Sequence, residues 1–184
     1  MGKISLLEHS DAISRVQAGD VDAFAGLVQQ FQSAIVSYLF RLTGDMELAR
    51  DLGQDTFIQA YKGLSTTVCT ISFRAWLYRI ATNNALQYFR RQAKLAFVPL
   101  DDSRPAAANP DAAREGSESA AVHEALLKMP ERLRVCLVLH FVDGFKHREI
   151  AKMLGISEDA VRMRVARGCA EFRRTYRASG GDLP

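Results

Sequence analysis

Glu149-Ile150-Ala151-Lys152-Met153-Leu154-Gly155-Ile156-Ser157 reads as two helices meeting at a tight turn. Ala151 is small where two helices must cross closely, and Gly155 tolerates the positive φ that a tight turn demands. Ser157 can cap the helix that follows, because its hydroxyl can accept from an otherwise unpaired backbone N–H. Val161 and Val165, four apart, face the core with Ile150 and Ile156. Glu158, Asp159, Arg162, Met163, Ala166 and Arg167 then share the outward face. This is a helix-turn-helix, and the major groove of DNA admits such a helix with its side chains against base edges. Arg162, Arg164 and Arg167 are the candidate DNA contacts, by two-pronged bonds to guanine or by neutralising phosphate. Arg173, Arg174 and Arg177 read better as favourable charges at a helix C-terminus. Glu158 and Asp159 either favour the helix N-terminus or select bases, and both readings stand.

Working outward, a block over residues 120–179 surrounds this turn. Pro130 suits the first turn of a helix with Leu133, Leu137 and Phe141 inward, closed by Asp143-Gly144. Helices over Lys146–Met153 and Ser157 to about Tyr176 follow. Before it, residues 96–119 contain Pro99, Pro105 and Pro110, scattered acids and few large apolar side chains. Such a stretch has little to bury and reads as a flexible, mildly acidic linker.

A first block over residues 12–95 precedes the linker. Phe24, Leu27, Val28, Phe31, Ile35, Leu39 and Leu42 recur at helical spacing, and Gly44 stops that helix. A second helix spans Met46–Leu64 with Leu48, Leu52, Phe57 and Tyr61 inward. A third starts near Ser72 and carries Phe73, Trp76, Leu77, Ile80 and Ala81 on one side. No strand-like alternation appears in this block. The expected fold is all-α: two small helical domains joined by a flexible linker.

The bulk numbers agree with this division. The chain has 184 residues, 48% hydrophobic, with a net charge of +3, so charge placement rather than charge excess must argue for a polyanion partner. No window approaches 18 uncharged apolar residues, and Glu8, His9 and Asp11 stand where an export signal would be apolar. Cys69, Cys136 and Cys169 are few, odd in number and widely spaced, as suits a reducing cytoplasm. The tail from Ala178 to Pro184 is expected to be disordered.

The stretch from Phe73 to Arg91 interleaves aromatics, amides and arginines on one helix. Aromatics can stack on unpaired bases, amides can bond base edges, and arginines can hold the backbone. That combination suits a strand being opened better than an intact duplex. Here the chain resembles the extracytoplasmic-function sigma factors, matching their Phe-Arg-x-Trp-Leu-Tyr-Arg-Ile-Ala-x-Asn pattern in region two over Phe73–Asn83. Asp51–Tyr61 resembles their Asp-Leu-x-Gln-Glu-x-Phe-x-x-Ala-Tyr segment, and Met129–Arg134 their Leu-Pro-x-x-x-Arg start of region four.

The resemblance implies a promoter-specific initiation factor for RNA polymerase, responding to stress or an envelope signal. Asp51, Gln54, Asp55 and Phe57 would lie on the helix that docks on the clamp coiled coil of the polymerase largest subunit. Phe57 reads equally as core, and Asp51 and Asp55 equally as a solvated face. The flap is the second implied contact on the core enzyme, promoter DNA the third partner, and an anti-sigma protein the fourth. Ser65, Thr66, Thr67, Cys69 and Thr70 fall in the loop that captures a flipped base near −10. Asn83, Asn84, Gln87, Tyr88, Arg90 and Arg91 would approach the upstream part of that element, while Phe73 stands between core and stacking platform. Arg162, Met163, Arg164, Ala166 and Arg167 would read the −35 element. Cys69-Thr70-Ile71, Met163 and Ala166 depart from common family residues, which points to altered base preference.

Two other classes compete. A helix-turn-helix regulator with a sensor domain explains the second block but not the arrangement around Trp76 and Asn83. An enzyme would need more than Cys136, His140 and His147, which read better as a buried thiol and helix-end histidines than as a zinc site. No phosphate-binding Gly-rich loop is present, and neither cofactor nor metal is expected.

Overall fold

The computed structural model describes residues 9–64, 71–95 and 117–179. Among these residues the fold is helical throughout, with no strand. The first block comprises α1 (Ser10–Gln17), α2 (Val21–Thr43), α3 (Met46–Leu64) and α4 (Phe73–Leu95). The second comprises α5 (Ser117–Leu127), α6 (Glu131–Leu137) running into a π-helical turn (Val138–Val142), α7 (His147–Leu154) and α8 (Glu158–Ala178). The helix α5 begins at Ser117, and most of the proposed linker lies outside the described residues.

Local chemistry sets the helix ends. Asp20 accepts from the Ala23 amide and Asp45 from the Leu48 amide, so α2 and α3 each start on a carboxylate cap. Gly44, at φ 75°, closes α2 in the left-handed conformation. An added Cβ there would also meet the end of the Leu127 side chain of α5 at 2.5 Å, so Leu127 would have to shift as well. Ser72 caps α4 through the Ala75 amide. Pro130 sits at the N-cap of α6, one place before the first turn where it was expected, and its carbonyl accepts from both the Leu133 and Arg134 amides.

The stripe on α2 buries Leu27, Phe31, Ile35, Leu39 and Leu42 against Leu52, Phe57, Ala60 and Leu64 of α3 and Leu77, Ala81 and Ala85 of α4. Each fully buried aliphatic side chain contributes about 1.5–3 kcal/mol. Two buried tyrosines refine this core. Thr82 donates to the Tyr78 carbonyl, which leaves its oxygen to accept from the Tyr38 hydroxyl at 2.7 Å. Burial pushes the Tyr38 and Tyr78 hydroxyls above the ordinary tyrosine range.

Two inward expectations are corrected. Tyr61 is 43% exposed, with its ring against Phe24 at the rim of the core. Phe141 is 63% exposed. Four residues after Leu137, it would share that residue's face on a regular α-helix. The π-helical turn intervenes: the Asp143 amide bonds the Val138 carbonyl five residues back, and the extra residue per turn rotates Phe141 outward.

The two blocks pack directly on each other. Arg134 of α6, buried, donates through Nη1 to the Leu42 carbonyl at the end of α2, at 2.6 Å. On the other side of the contact the Tyr78 hydroxyl donates to Asp143 Oδ1 at 2.8 Å, and Arg74 donates to the Asp143 carbonyl at 2.5 Å. Arg74 also lies over the Phe145 ring. Phe40 meets His123 edge-on with ring centroids 4.4 Å apart.

Candidate nucleic-acid interface

The helix-turn-helix forms as its sequence implies. Gly155 turns α7 into α8 at φ 64°, and Ser157 accepts from the Ala160 amide. Ile150, Ala151, Met153, Val161 and Val165 are buried, which fixes α8 on its core side. Arg162, Met163, Ala166 and Arg167 are all exposed on the outward side. Arg162 pairs with Glu158 at 2.8 Å and Asp159 at 3.3 Å. Exposed pairs of this kind contribute about 0–1 kcal/mol, so a phosphate or guanine can displace them.

Arg164 stands apart from that face. It is half-buried near Cys136, whose thiol burial pushes up while the Arg164 charge partly offsets the rise. On α7, Arg148 and Lys152 are exposed beside the recognition helix, where the first helix of such a unit crosses the DNA backbone. Sequence reading passed over both; their exposed positions on a helix preceding the turn were the available signal.

On α4 the candidates separate. Asn83, Gln87, Arg90 and Arg91 are exposed, and Arg79 and Lys94 extend the same stripe at three- and four-residue steps. Arg79 and Lys94 were not singled out from sequence, although their spacing from Asn83 and Arg90 carries the signal. Asn84 faces the other way: buried, it donates to Thr56 Oγ1 at 3.2 Å and accepts from Gln59 Nε2 at 3.0 Å, tying α4 to α3. Tyr88 is half-buried and its hydroxyl accepts from Gln92. Phe73, 3% exposed, stands in an aromatic cluster with Phe31 and Trp76, so it belongs to the core. Ser65, Thr66, Thr67, Cys69 and Thr70 lie outside the described residues.

On α3, Asp51, Gln54 and Asp55 are exposed together with Ile58, while Phe57 is buried behind them. An apolar groove of about 300 Å³ opens on the second block between α5, the π-helical turn and α8, lined by Leu126, Phe141, Val142, Cys169 and Phe172 among others. Phe141 and Val142 of the π-helical turn, both exposed, form part of this lining. Cys136 is fully buried, His140 bonds the Phe145 carbonyl, and no metal-binding cluster occurs among the described residues. No helix among the described residues is long and apolar enough to cross a membrane.

Comparison with known proteins identifies the arrangement. Residues 27–95 match the model of sigma-70 region 2, and residues 119–172 match that of sigma-70 region 4. The chain is 32% identical to the ECF RNA polymerase sigma factor SigM of Mycobacterium tuberculosis, over 91% of this chain and 85% of that protein. It is 28% identical to the ECF RNA polymerase sigma factor SigW of Bacillus subtilis, over 90% of this chain and 95% of the relative. Among solved structures it is similar to CnrH in complex with the cytosolic domain of CnrY, with a TM-score of 0.66, 27% identity, and coverage of 91% of this chain and 96% of that one. With an α4 stripe and a helix-turn-helix on one chain and both sigma regions matched in order, the protein belongs to the extracytoplasmic-function subfamily of sigma-70 factors, which bind core RNA polymerase and direct it to promoters.

Proposed function

We propose a division of labour among four exposed surfaces. The outward face of α8, through Arg162, Met163, Ala166 and Arg167, reads duplex DNA at the −35 element, with Arg148 and Lys152 of α7 on the adjoining phosphates. Arg164, half-buried at the edge of that face, adds a further contact to the same DNA. The α4 stripe of Asn83, Gln87, Arg90 and Arg91, flanked by Arg79 and Lys94, holds the strand opened near −10. Asp51, Gln54 and Asp55 of α3 dock on the clamp coiled coil, with Phe57 supporting them from the core. The groove around Phe141 takes an apolar helix of the flap.

The observation that supports this most is the coexistence, on one chain, of two basic, amide-bearing or groove-sized helical faces on separate blocks. Binding through two elements raises the effective concentration of the second contact once the first has formed. Capturing an unpaired base offsets part of the unstacking cost, roughly a few kcal/mol. The chain works by binding alone; bond-making belongs to the polymerase, so the protein acts where polymerase and DNA are, in the cytoplasm. An anti-sigma protein would silence it by covering the α3 face and the groove; CnrH, which this chain resembles, was solved in complex with a second chain, the cytosolic domain of CnrY.

A minimal transcription assay with purified core polymerase tests this reading. Start-site mapping should return transcripts with a shared pair of upstream elements. A chain that binds promoter DNA tightly alone, and leaves core polymerase unprogrammed, would act as a regulator instead.

A further inference from the structure

The groove on the second block has a chemistry that the docking of a helix does not use up. It encloses about 300 Å³ between α5, the π-helical turn and α8. That volume stands at the small end of the range for small-molecule sites. A helix is about 10–12 Å across and can place only single side chains there, whereas an alkyl chain can lie along the groove. Of the side chains that line it, only Cys169 and Arg173 carry a polar group; the others are aliphatic or aromatic. π-Helical turns often mark functional sites, and this one carries Phe141 and Val142, both exposed, into the lining. Contiguous exposed apolar side chains mark a surface that something covers.

At one edge of this apolar wall stands an unneutralised cation. Arg173 is exposed, and its helical neighbours at three and four residues, Cys169, Ala170, Tyr176 and Arg177, include no acid. Among the described residues no ion pair or hydrogen bond engages it, whereas Glu171 holds the adjacent Arg174. A guanidinium fork binds a carboxylate through two parallel N–H donors. An apolar trough with a free guanidinium at its rim therefore complements one chemical class, an anion that carries its own apolar tail.

We propose that the groove binds a free alkyl carboxylate of medium chain length. The chain lies against Leu126, Phe141, Val142 and Phe172, and Arg173 holds the carboxylate at the rim. The site itself stands apart from the promoter reading; only its consequence rests on that reading. An occupied groove cannot also receive the flap helix, so the acid lowers transcription.

The test uses the full chain with Cys69→Ser and follows the reaction of Cys169, half-buried in the groove wall, with an aromatic disulfide; Cys136 is fully buried. Sodium decanoate below its micellar concentration is the probe. At about ten times its dissociation constant it should slow labelling about tenfold. From hexanoate through octanoate to decanoate, affinity should rise about fourfold per methylene. Arg173→Ala should weaken decanoate about fivefold and leave decanol unchanged, as loss of one exposed charge pair requires. Arg174→Ala should alter neither. Phe141→Ala, at an exposed position, should weaken acid and alcohol alike. Labelling that decanoate leaves unchanged overturns the proposal. Equal losses of acid and alcohol in Arg173→Ala overturn it as well, as does protection by anionic lipid vesicles with decanoate inert, which would make the groove a membrane contact. With core polymerase, decanoate should inhibit transcription, and Arg173→Ala should need about fivefold more for the same inhibition. Protection without inhibition would uphold the site and overturn the flap reading of the groove. Failure of the wild-type chain to programme core would overturn the promoter reading and leave the thiol protection standing.

Discussion

Asn83 and Asn84 are neighbours in sequence with opposite fates. Asn83 stands exposed on the α4 stripe, and Asn84 is buried in a hydrogen-bonded chain linking Gln59, Asn84 and Thr56. The same contrast separates α4 from α8. On α4 the polar stripe shares its helix with a core face that closes the first block, so each amide works either for the fold or for the ligand. On α8 the core side rests on Val161 and Val165, and Arg162, Met163, Ala166 and Arg167 remain together on the other side. Residue type marks a helix as a nucleic-acid reader; the packing of its neighbours decides which side chains are available to read.

Substitutions at α8 should therefore act on promoters and leave the fold alone. Arg162→Ala with Arg167→Ala is expected to reduce transcription from a −35-dependent promoter by about 10²-fold or more, at about 1–3 kcal/mol per lost base contact. The thermal midpoint should hold, since surface changes of this kind stay within about 0.5 kcal/mol. Transcription with matched melting curves checks both halves.

Asn84→Ala should break the contrast from the other side. It removes the buried amide that ties α4 to Thr56 and Gln59 of α3, although Thr56 keeps its bond to the Leu52 carbonyl, and should cost roughly 1 kcal/mol of stability in denaturant titration. Asn83→Ala should leave that titration unchanged and instead slow opening at −10, read by permanganate reactivity of unpaired thymines. Equal stability losses for the two variants would remove the distinction.

The comparison also locates what could be read from the sequence. The helix-turn-helix, the α2 stripe, Gly44 and the Ser72 and Ser157 caps all rest on contacts within a few residues, and local spacing exposes those. Phe141 was misplaced because the π-helical turn resets the helical phase, and nothing in Val138–Val142 announces it. Tyr61 follows the apolar period but sits at the rim, exposed, with its ring against Phe24. Arg164 shares the arginine pattern of its neighbours, and only packing against the rest of the second block makes it half-buried. The contact between the blocks pairs residues such as Leu42 and Arg134 that are distant in sequence, so no periodicity reveals it.

Smaller effects sharpen the contrast further. Glu158→Gln frees Arg162 from its stronger partner and should raise non-specific DNA affinity by about two- to threefold, within the range of an exposed ion pair. Acid should act on the contact between the two blocks, closed in this structure through Tyr78 and Asp143, rather than on either reading face. Burial holds the Asp143 carboxyl above the usual carboxylate range, against the Tyr78 hydroxyl, Arg41 and Arg74, which pull it down. A pKa raised in the closed state means that closure takes up a proton. The closed form should gain as pH falls through the raised pKa and lose as pH rises through it, and Asp143→Asn should flatten that dependence in scattering.

The most direct measurement is transcription by core polymerase with single base changes in each promoter element, using wild-type, Arg167→Ala and Asn83→Ala chains. With Arg167→Ala, a −35 change should have little further effect while a −10 change keeps its full penalty; with Asn83→Ala the pattern should reverse. If both variants lose sensitivity to the same element, or the wild-type chain starts no transcripts with core, two separate reading faces on one sigma factor would be the wrong description of this molecule.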